Sequence, residues 1–101
     1  MGRRVELHNI LKQVLGSGNV YFEPAESFKL KYPCIVYFME GNAEWHADNN
    51  PYHRMQRYSL TYITQQADDP MVDKIDSIKY CSLNRPFTTS GLRHYPYTLF
   101  Y

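Results

Sequence analysis

The residues best spaced to bind a metal ion are His46, Asp48 and His53, which lie within eight residues of one another. Imidazole and carboxylate groups are zinc ligands, but this spacing matches no standard zinc pattern. Cys34 and Cys81 stand 47 positions apart, so they form neither a zinc knuckle nor a Cys-x-x-Cys redox motif. We therefore expect polar loop residues here, with no metal and no cofactor.

Nucleophilic catalysis also lacks a suitable arrangement of residues. A nucleophile needs a neighbouring base, and both cysteines fall in apolar, strand-like segments where a thiol stays protonated. The chain contains no Gly-x-Ser-x-Gly, and its five glycines form no phosphate-binding loop. We predict that the chain is not an enzyme. Four aspartates cluster around a predicted second helix: Asp68, Asp69, Asp73 and Asp76. We expect them to cap the helix and to place negative charge near its positive end.

Composition indicates one globular domain. The 101 residues are 44% hydrophobic and 21% charged, which is ordinary for a folded protein. A net charge of +1 neutralises few phosphates, so nucleic-acid binding is not the favoured function. No apolar run approaches the ~18 residues of a membrane span, so we expect synthesis in the cytoplasm and no membrane contact. The excess of tyrosine, 10 residues, is typical of interfaces, although tyrosine also favours strands.

Hydrophobic periodicity predicts a helix followed by strands. Apolar residues recur at helical spacing from Leu7 to Leu15, and Gly16 ends this helix. A short strand is expected at 19–23, and a longer one at 34–39 is apolar on both faces. That pattern is typical of a strand at the centre of a sheet, or of a strand whose second face a partner covers.

The second half of the chain continues the same mixture. The predicted elements are a strand at 55–64, a helix from Asp69-Pro70 to Ile78, a strand at 81–83, a turn at 89–91 and a strand at 92–101. Pro96 cannot donate to a ladder, so the last strand is expected at an edge or bulged there. The simplest arrangement is an α+β fold, a single domain over residues 1–101 with two helices packed on one face of a mainly antiparallel sheet.

A predicted loop at residues 40–54 separates the two long strands. A small domain rarely keeps so long a loop without a use, so we interpret it as a contact surface. The residues predicted to contact a neighbouring subunit are Trp45, Tyr52 and His53, with Arg54 and Arg57 at the rim. For Trp45 a second interpretation stays open, in which its ring folds back over the edge of the core.

The layout of the whole chain resembles that of small tail-terminator or head–tail joining (neck) proteins of long-tailed bacteriophages. The resemblance covers nearly the full length and rests on the order of the elements, not on one motif. The segments that carry it are residues 7–15, 20–24, 32–37, 47–49 with Tyr52, Arg57 with Tyr58, Asp69-Pro70 with the helix to Ile78, and 92–101.

This resemblance implies an α+β subunit of the virion tail or neck, made in the host cytoplasm, that performs no catalysis and binds no cofactor. It implies a ring of copies, usually six, that caps the tail tube and presents a docking face to the head connector. The implied partners are further copies of the chain, the tail tube protein and the connector or neck protein, with non-specific DNA contact in the ring lumen left open.

Two alternatives remain beside the tail terminator. One is another connector or neck (head-completion) protein, which the same layout also fits. The other is a small nucleic-acid-binding α+β domain, since basic and aromatic residues lie together near Arg57 and near Arg93.

Overall fold

Helices and strands follow one another in an order that the sequence largely predicts. The computed structural model describes residues 3–46 and 54–101. Its elements are α1 (Arg3–Leu15), β1 (Val20–Phe22), β2 (Cys34–His46), β3 (Arg54–Thr64), α2 (Met71–Asp76), β4 (Cys81–Leu83), β5 (Phe87–Thr89) and β6 (Leu92–Phe100). Each predicted helix and strand is found, but β2 continues past its predicted end at Met39 to His46.

The strands form one six-stranded sheet in the order β1-β2-β3-β6-β4, with β5 also paired to β6. The β1–β2 pair is parallel and the other pairs are antiparallel. Both helices pack on the same face, where Leu11 of α1 and Ile75 of α2 join the buried strand residues. The predicted α+β fold, with two helices on one face of a mainly antiparallel sheet, is confirmed. The central position predicted for the strand at 34–39 is also confirmed, because β2 lies between β1 and β3.

The helix α1 buries the apolar stripe that its spacing predicts. Leu7, Leu11 and Leu15 are buried against the sheet, as residues four apart on one helix face must be. The helix ends at Gly16, whose φ of +79° favours a residue without a side chain. The Gly16 amide donates to the carbonyl of Lys12 at 2.8 Å, which satisfies one carbonyl of the last turn.

The centre of the helix-covered face is built from tyrosines. Their rings are almost wholly buried, so these residues account for part of the tyrosine excess through the core and not through a surface. Each buried phenol needs a hydrogen-bond partner, and Tyr37 has one in His8 Nδ1 at 2.7 Å. The Tyr62 hydroxyl donates to Asp69 Oδ2 at 2.6 Å. The four buried tyrosines are Tyr37, Tyr58, Tyr62 and Tyr97.

Asp69 fixes the start of α2 to the end of β3. Its Oδ1 accepts the amide of Met71 at 2.9 Å, and its Oδ2 accepts the hydroxyls of Tyr62 and of Thr64, the latter at 2.9 Å. The predicted capping role of Asp69 is confirmed. Burial alone raises the pKa of the Asp69 carboxyl, but the hydrogen bonds from Tyr62, Met71 and Thr64 lower it overall. The helix is shorter than predicted, since it ends at Asp76 and not at Ile78.

The strand β6 lies inside the sheet, so its predicted place at an edge is wrong. Pro96 pairs with Thr61 of β3, and on its other side its carbonyl accepts the Asn84 amide at 2.7 Å. The nitrogen and carbonyl of one strand residue point to the same side, so the missing N–H faces the region between β5 and β4. Along β6, the pairing with β5 stops at His94 and the pairing with β4 starts at Tyr97. Pro96 lies between the two, so its missing N–H removes no hydrogen bond from either ladder.

The predicted turn before β6 is confirmed. Ser90 and Gly91 join β5 to β6, and their φ angles are +52° and +75°. Two central residues with positive φ are typical of a type I′ turn, whose twist matches that of the flanking strands.

The opposite face of the sheet has a smaller core. Cys34 and Val36 of β2 pack with Ile63 of β3, and Leu30 from the connector between β1 and β2 packs against them. The connector therefore covers this end of the face and leaves the rest of it without a layer of helices.

Candidate contact surface

The β2–β3 hairpin continues beyond the other strands as a two-stranded arm, residues 40–46 and 54–56. β1 pairs with β2 as far as Tyr37, and β6 pairs with β3 from Arg57 onward. Tyr101, which follows β6, bonds to Gln56 through both backbone groups. Beyond Gln56 the described arm is a ribbon of two strands, where the prediction placed a loop at 40–54. The pairs within it are Glu44 with Gln56, Trp45 with Met55 and His46 with Arg54.

A large irregularity separates the arm from the sheet. Met39 pairs with Tyr58, and the next recorded pair joins Glu44 to Gln56, so residues 40–43 lie opposite Arg57 alone. Extra residues on one strand bend that strand and interrupt the alternation of its side chains. This interruption is the reason that the sequence pattern predicts the end of the strand at Met39.

The predicted contact residues divide between the arm and its base. Trp45 lies in β2 and Arg54 begins β3, so the backbone places both in the arm, whereas Arg57 lies at the base opposite Phe100. Tyr52 and His53 lie outside the described residues, and so do the side chains of Trp45 and Arg54. Both interpretations of the Trp45 ring therefore stay predictions.

Arg57 forms an ion pair across the base of the arm. Its Nε lies 3.4 Å from Oε1 of Glu40, and both side chains are more than two-fifths exposed. An exposed pair of this kind contributes about 1 kcal/mol or less. The Arg57–Glu40 pair therefore places two charged side chains at the irregularity but contributes too little to fix the position of the arm.

An exposed aromatic patch, formed by Tyr21, Phe28 and Phe38, lies on the face opposite the helices. The Phe28 and Tyr21 rings meet edge to face at 5.1 Å, and Phe28 is half exposed. Tyr21 pairs with Val36, and Phe38 follows two residues later on the same face with 44% of its surface exposed. Large apolar side chains grouped at a surface favour contact with a partner.

The apolar residues on both faces of β2 are the feature of the sequence that indicates this patch, but they have two possible explanations. A strand apolar on both faces indicates either a central strand or a strand whose second face a partner covers. β2 is central, and within its own subunit its second face is covered only in part. The connector covers Cys34 and Val36 through Leu30, whereas Phe38 is left exposed. Phe28 lies in the connector outside any periodic segment, so no pattern identified it.

A second apolar feature is the interhelix groove, which opens between α1, α2 and the end of β6. Its volume is about 510 Å³. Its walls are the thirteen-residue α1, the end of the six-residue α2 and the residues that follow α2. Two lysines, Lys74 and Lys79, are its charged lining residues. The others are Leu7, Ile10, Val14, Ser77, Ile78, Tyr80 and Tyr101.

The groove and the base of the arm are neighbours. Tyr101 lines the groove, and its amide and carbonyl both bond to the backbone of Gln56, at 3.1 and 3.2 Å. The Tyr101 hydroxyl donates to Glu6 of α1 at 3.2 Å, which ties the end of the chain to the first helix. The Lys79 ammonium lies 5.2 Å from the centre of the Tyr80 ring at the groove wall.

The two cysteine thiols lie in apolar surroundings. Burial raises the pKa of the Cys34 thiol to about 11, and burial together with the Asp76 charge raises that of Cys81 to about 12. Both thiols are free, and at neutral pH both are protonated, as their apolar segments predict. Within the two described stretches, no three His, Cys, Asp or Glu side chains are arranged to hold a metal ion. The candidate ligands Asp48, His53 and the side chain of His46, for which the sequence predicts no bound metal, lie outside the described part of the chain.

Comparison with family models, with curated proteins and with solved structures finds no match to this chain. None of the helices in the described residues has the length and apolarity to cross a bilayer.

Proposed function

We propose that this chain is a structural protein of a tailed-phage virion, a tail terminator whose copies close into a ring on the end of the tail tube and dock that ring to the head connector. The proposal rests on the resemblance in layout, and the observation that carries it furthest is the two-stranded arm. The mechanism is assembly: the closed ring blocks further tube subunits and presents the docking face for the head.

The arm supports a role in contact because of its isolation. A hairpin of two strands is marginally stable in water unless a third strand or another layer packs on it. Trp45 and His46 have their recorded partners, Met55 and Arg54, on one side only among the described strands. Contact with a neighbouring subunit or with the tube supplies the missing layer.

The sheet edges support the same assignment. The edge strands β1, β4 and β5 have three residues each, which limits hydrogen-bonded extension by another chain at those edges. The arm offers a longer ribbon. An assembly contact through the arm therefore fits this fold better than extension of the sheet at β1, β4 or β5.

The surface area also suits a ring subunit. Closing a ring takes two different patches on each subunit, and each patch of standard size covers about 800 Å². The accessible surface is 6618 Å², so the two together occupy roughly a quarter of it. The arm, the interhelix groove and the aromatic patch near Phe38 are separate regions of the surface, so the fold offers more than the two patches that a ring contact needs.

Sedimentation velocity and native mass spectrometry of the purified chain, alone and with isolated tail tubes, test this proposal. We expect rings in solution or on tube ends, and tubes of defined length when the chain is added during tube growth. The matched variant replaces residues 42–55 with an Asn-Gly turn, which joins Gly41 to Gln56, removes the arm beyond its base and keeps the part of β3 that pairs with β6. We expect this variant to fold and to lose ring formation.

Two results would contradict the proposal. A chain that stays monomeric at every concentration and ignores tail tubes is not a terminator. A shortened arm that leaves ring formation and tube capping intact removes the arm from the mechanism. Binding to isolated head connectors without binding to tubes instead identifies the adjacent neck protein.

A further inference from the structure

The interhelix groove is an apolar opening with a basic rim, and the fold of one subunit leaves it open. Its volume of about 510 Å³ falls in the range of about 300–1,000 Å³ that is typical of pockets that bury most of a bound group. Lys74 and Lys79 are its charged lining residues. An occupant that fits must therefore combine an apolar anchor with acidic residues.

The arm has this composition. Residues 40–54 contain the single tryptophan of the chain, Trp45, and three acidic residues against one arginine; the acidic residues are Glu40, Glu44 and Asp48. Glu40 is paired with Arg57 at the base, so in the sequence Glu44 and Asp48 are the remaining acidic residues of this segment. Arg54 is its one arginine. Two acidic residues and an aromatic anchor match two lysines and an apolar groove.

We propose that the interhelix groove of one copy receives the arm of a second copy of this chain. This inference rests on the proposed function, because it names the receiving surface for the subunit contact. The arm and the groove are different surfaces, so the contact is head-to-tail and can propagate around a ring, as an isologous contact cannot.

The proposal assigns roles to named residues. The Trp45 ring fills the apolar groove beside Ile10 and Ile78, and its burial supplies most of the affinity, as large aromatic anchors do at other interfaces. Lys74 and Lys79 select the acidic arm and reject a cationic one.

The single tryptophan makes the test direct, because its fluorescence reports on one site. We expect the emission of Trp45 to shift to shorter wavelength as protein concentration rises, over the same range in which sedimentation detects association. The double variant Lys74→Glu/Lys79→Glu is expected to weaken association roughly tenfold or more, because like charges then face each other. Lys74→Gln/Lys79→Gln is expected to give a smaller loss, and it serves if the reversed pair disturbs α2.

Two further variants complete the design. Arg85→Glu/Arg93→Glu makes the same change of charge at exposed residues outside the groove lining, the arm and the aromatic patch, and is expected to leave association within about twofold of the original chain. Glu44→Lys/Asp48→Lys, combined with Lys74→Glu/Lys79→Glu, reverses both sides and is expected to restore association.

The outcomes separate this inference from the proposed function. If the chain associates but the groove variants associate equally well, the groove is not the receiving surface, and the proposed ring remains. A Trp45 emission that is already shifted while the chain is monomeric, and that does not change as copies associate, means that the Trp45 ring is buried within its own subunit, which overturns the exchange between copies. A chain that never associates, alone or on tail tubes, overturns both.

Discussion

Tyr37 and Phe38 are adjacent aromatic residues of β2, and they end in opposite surroundings. Tyr37 faces the helices, is fully buried, and has its hydroxyl bonded to His8. Phe38 faces away from them and keeps 44% of its surface exposed. At this position in the sheet, the face toward the helices is closed and holds the fold, and the opposite face is open. The helix cover ends one residue later, since Met39 is also 44% exposed.

The largest expected effect comes from truncating each of these two rings. Tyr37→Ala is expected to lower the free energy of unfolding by about 3–5 kcal/mol, because it empties a fully buried ring site. Phe38→Ala is expected to cost about 1 kcal/mol or less in the monomer and to weaken self-association, because its ring is already half in water. Urea unfolding and sedimentation velocity measure the two effects. Equal losses of stability would show that both faces hold the fold.

A smaller effect is expected at the link between β3 and α2. Asp69→Asn is expected to cost about 1–2 kcal/mol, since a neutral amide replaces a carboxylate that accepts from Tyr62, Thr64 and the Met71 amide. Asp68→Asn makes the same change one residue earlier. Asp68 has a φ of +54°, a conformation that asparagine tolerates, so little change is expected there. Urea unfolding of both variants checks the difference, and equal losses would remove the specific role of Asp69.

The pH dependence of the helix-covered face gives a third prediction. Burial and the charges of Lys12 and Arg4 lower the pKa of His8. As the pH falls through about 6.5, the unfolded chain takes up a proton at His8 before the folded chain does, so the free energy of unfolding falls. The fall stops once the pH is below the lowered pKa of the folded state. His8→Gln is expected to remove this part of the pH dependence, which urea unfolding between about pH 7 and 5 measures. A slope that is unchanged in the variant would contradict it.

These contrasts also explain how far the sequence predicts the molecule. The stripe of Leu7, Leu11 and Leu15 and the alternation in β3 and β6 depend on local spacing, so they are visible without a structure. The capping by Asp69 is visible for the same reason. Its bonds to Tyr62 and Thr64 are not, because they form only when the chain turns back at the end of β3.

The candidate site was predicted less well, for physical reasons. Residues 40–43 opposite Arg57 break the alternation that identifies a strand, so the arm reads as a loop. The groove was missed because Ile10 and Val14 continue the apolar stripe of α1, and spacing alone does not show that α2 and the residues after it leave them lining a groove. Both features depend on an element that is distant in the sequence: the arm on its register with β3, and the groove on the packing of α2 and the residues that follow it.

The smallest expected effect lies at the base of the arm, where Arg57 meets Glu40. A double-mutant cycle with Arg57→Ala and Glu40→Ala is expected to give a coupling free energy of about 0.5 kcal/mol or less in the monomer, because both side chains are exposed and salt screens them. The same cycle measured on self-association is expected to give a larger value, since a subunit seated on the arm excludes water from the pair. A coupling above about 1 kcal/mol in the monomer would instead mean that the arm is held by its own subunit, and the division between a closed face and an open one would no longer hold at this position.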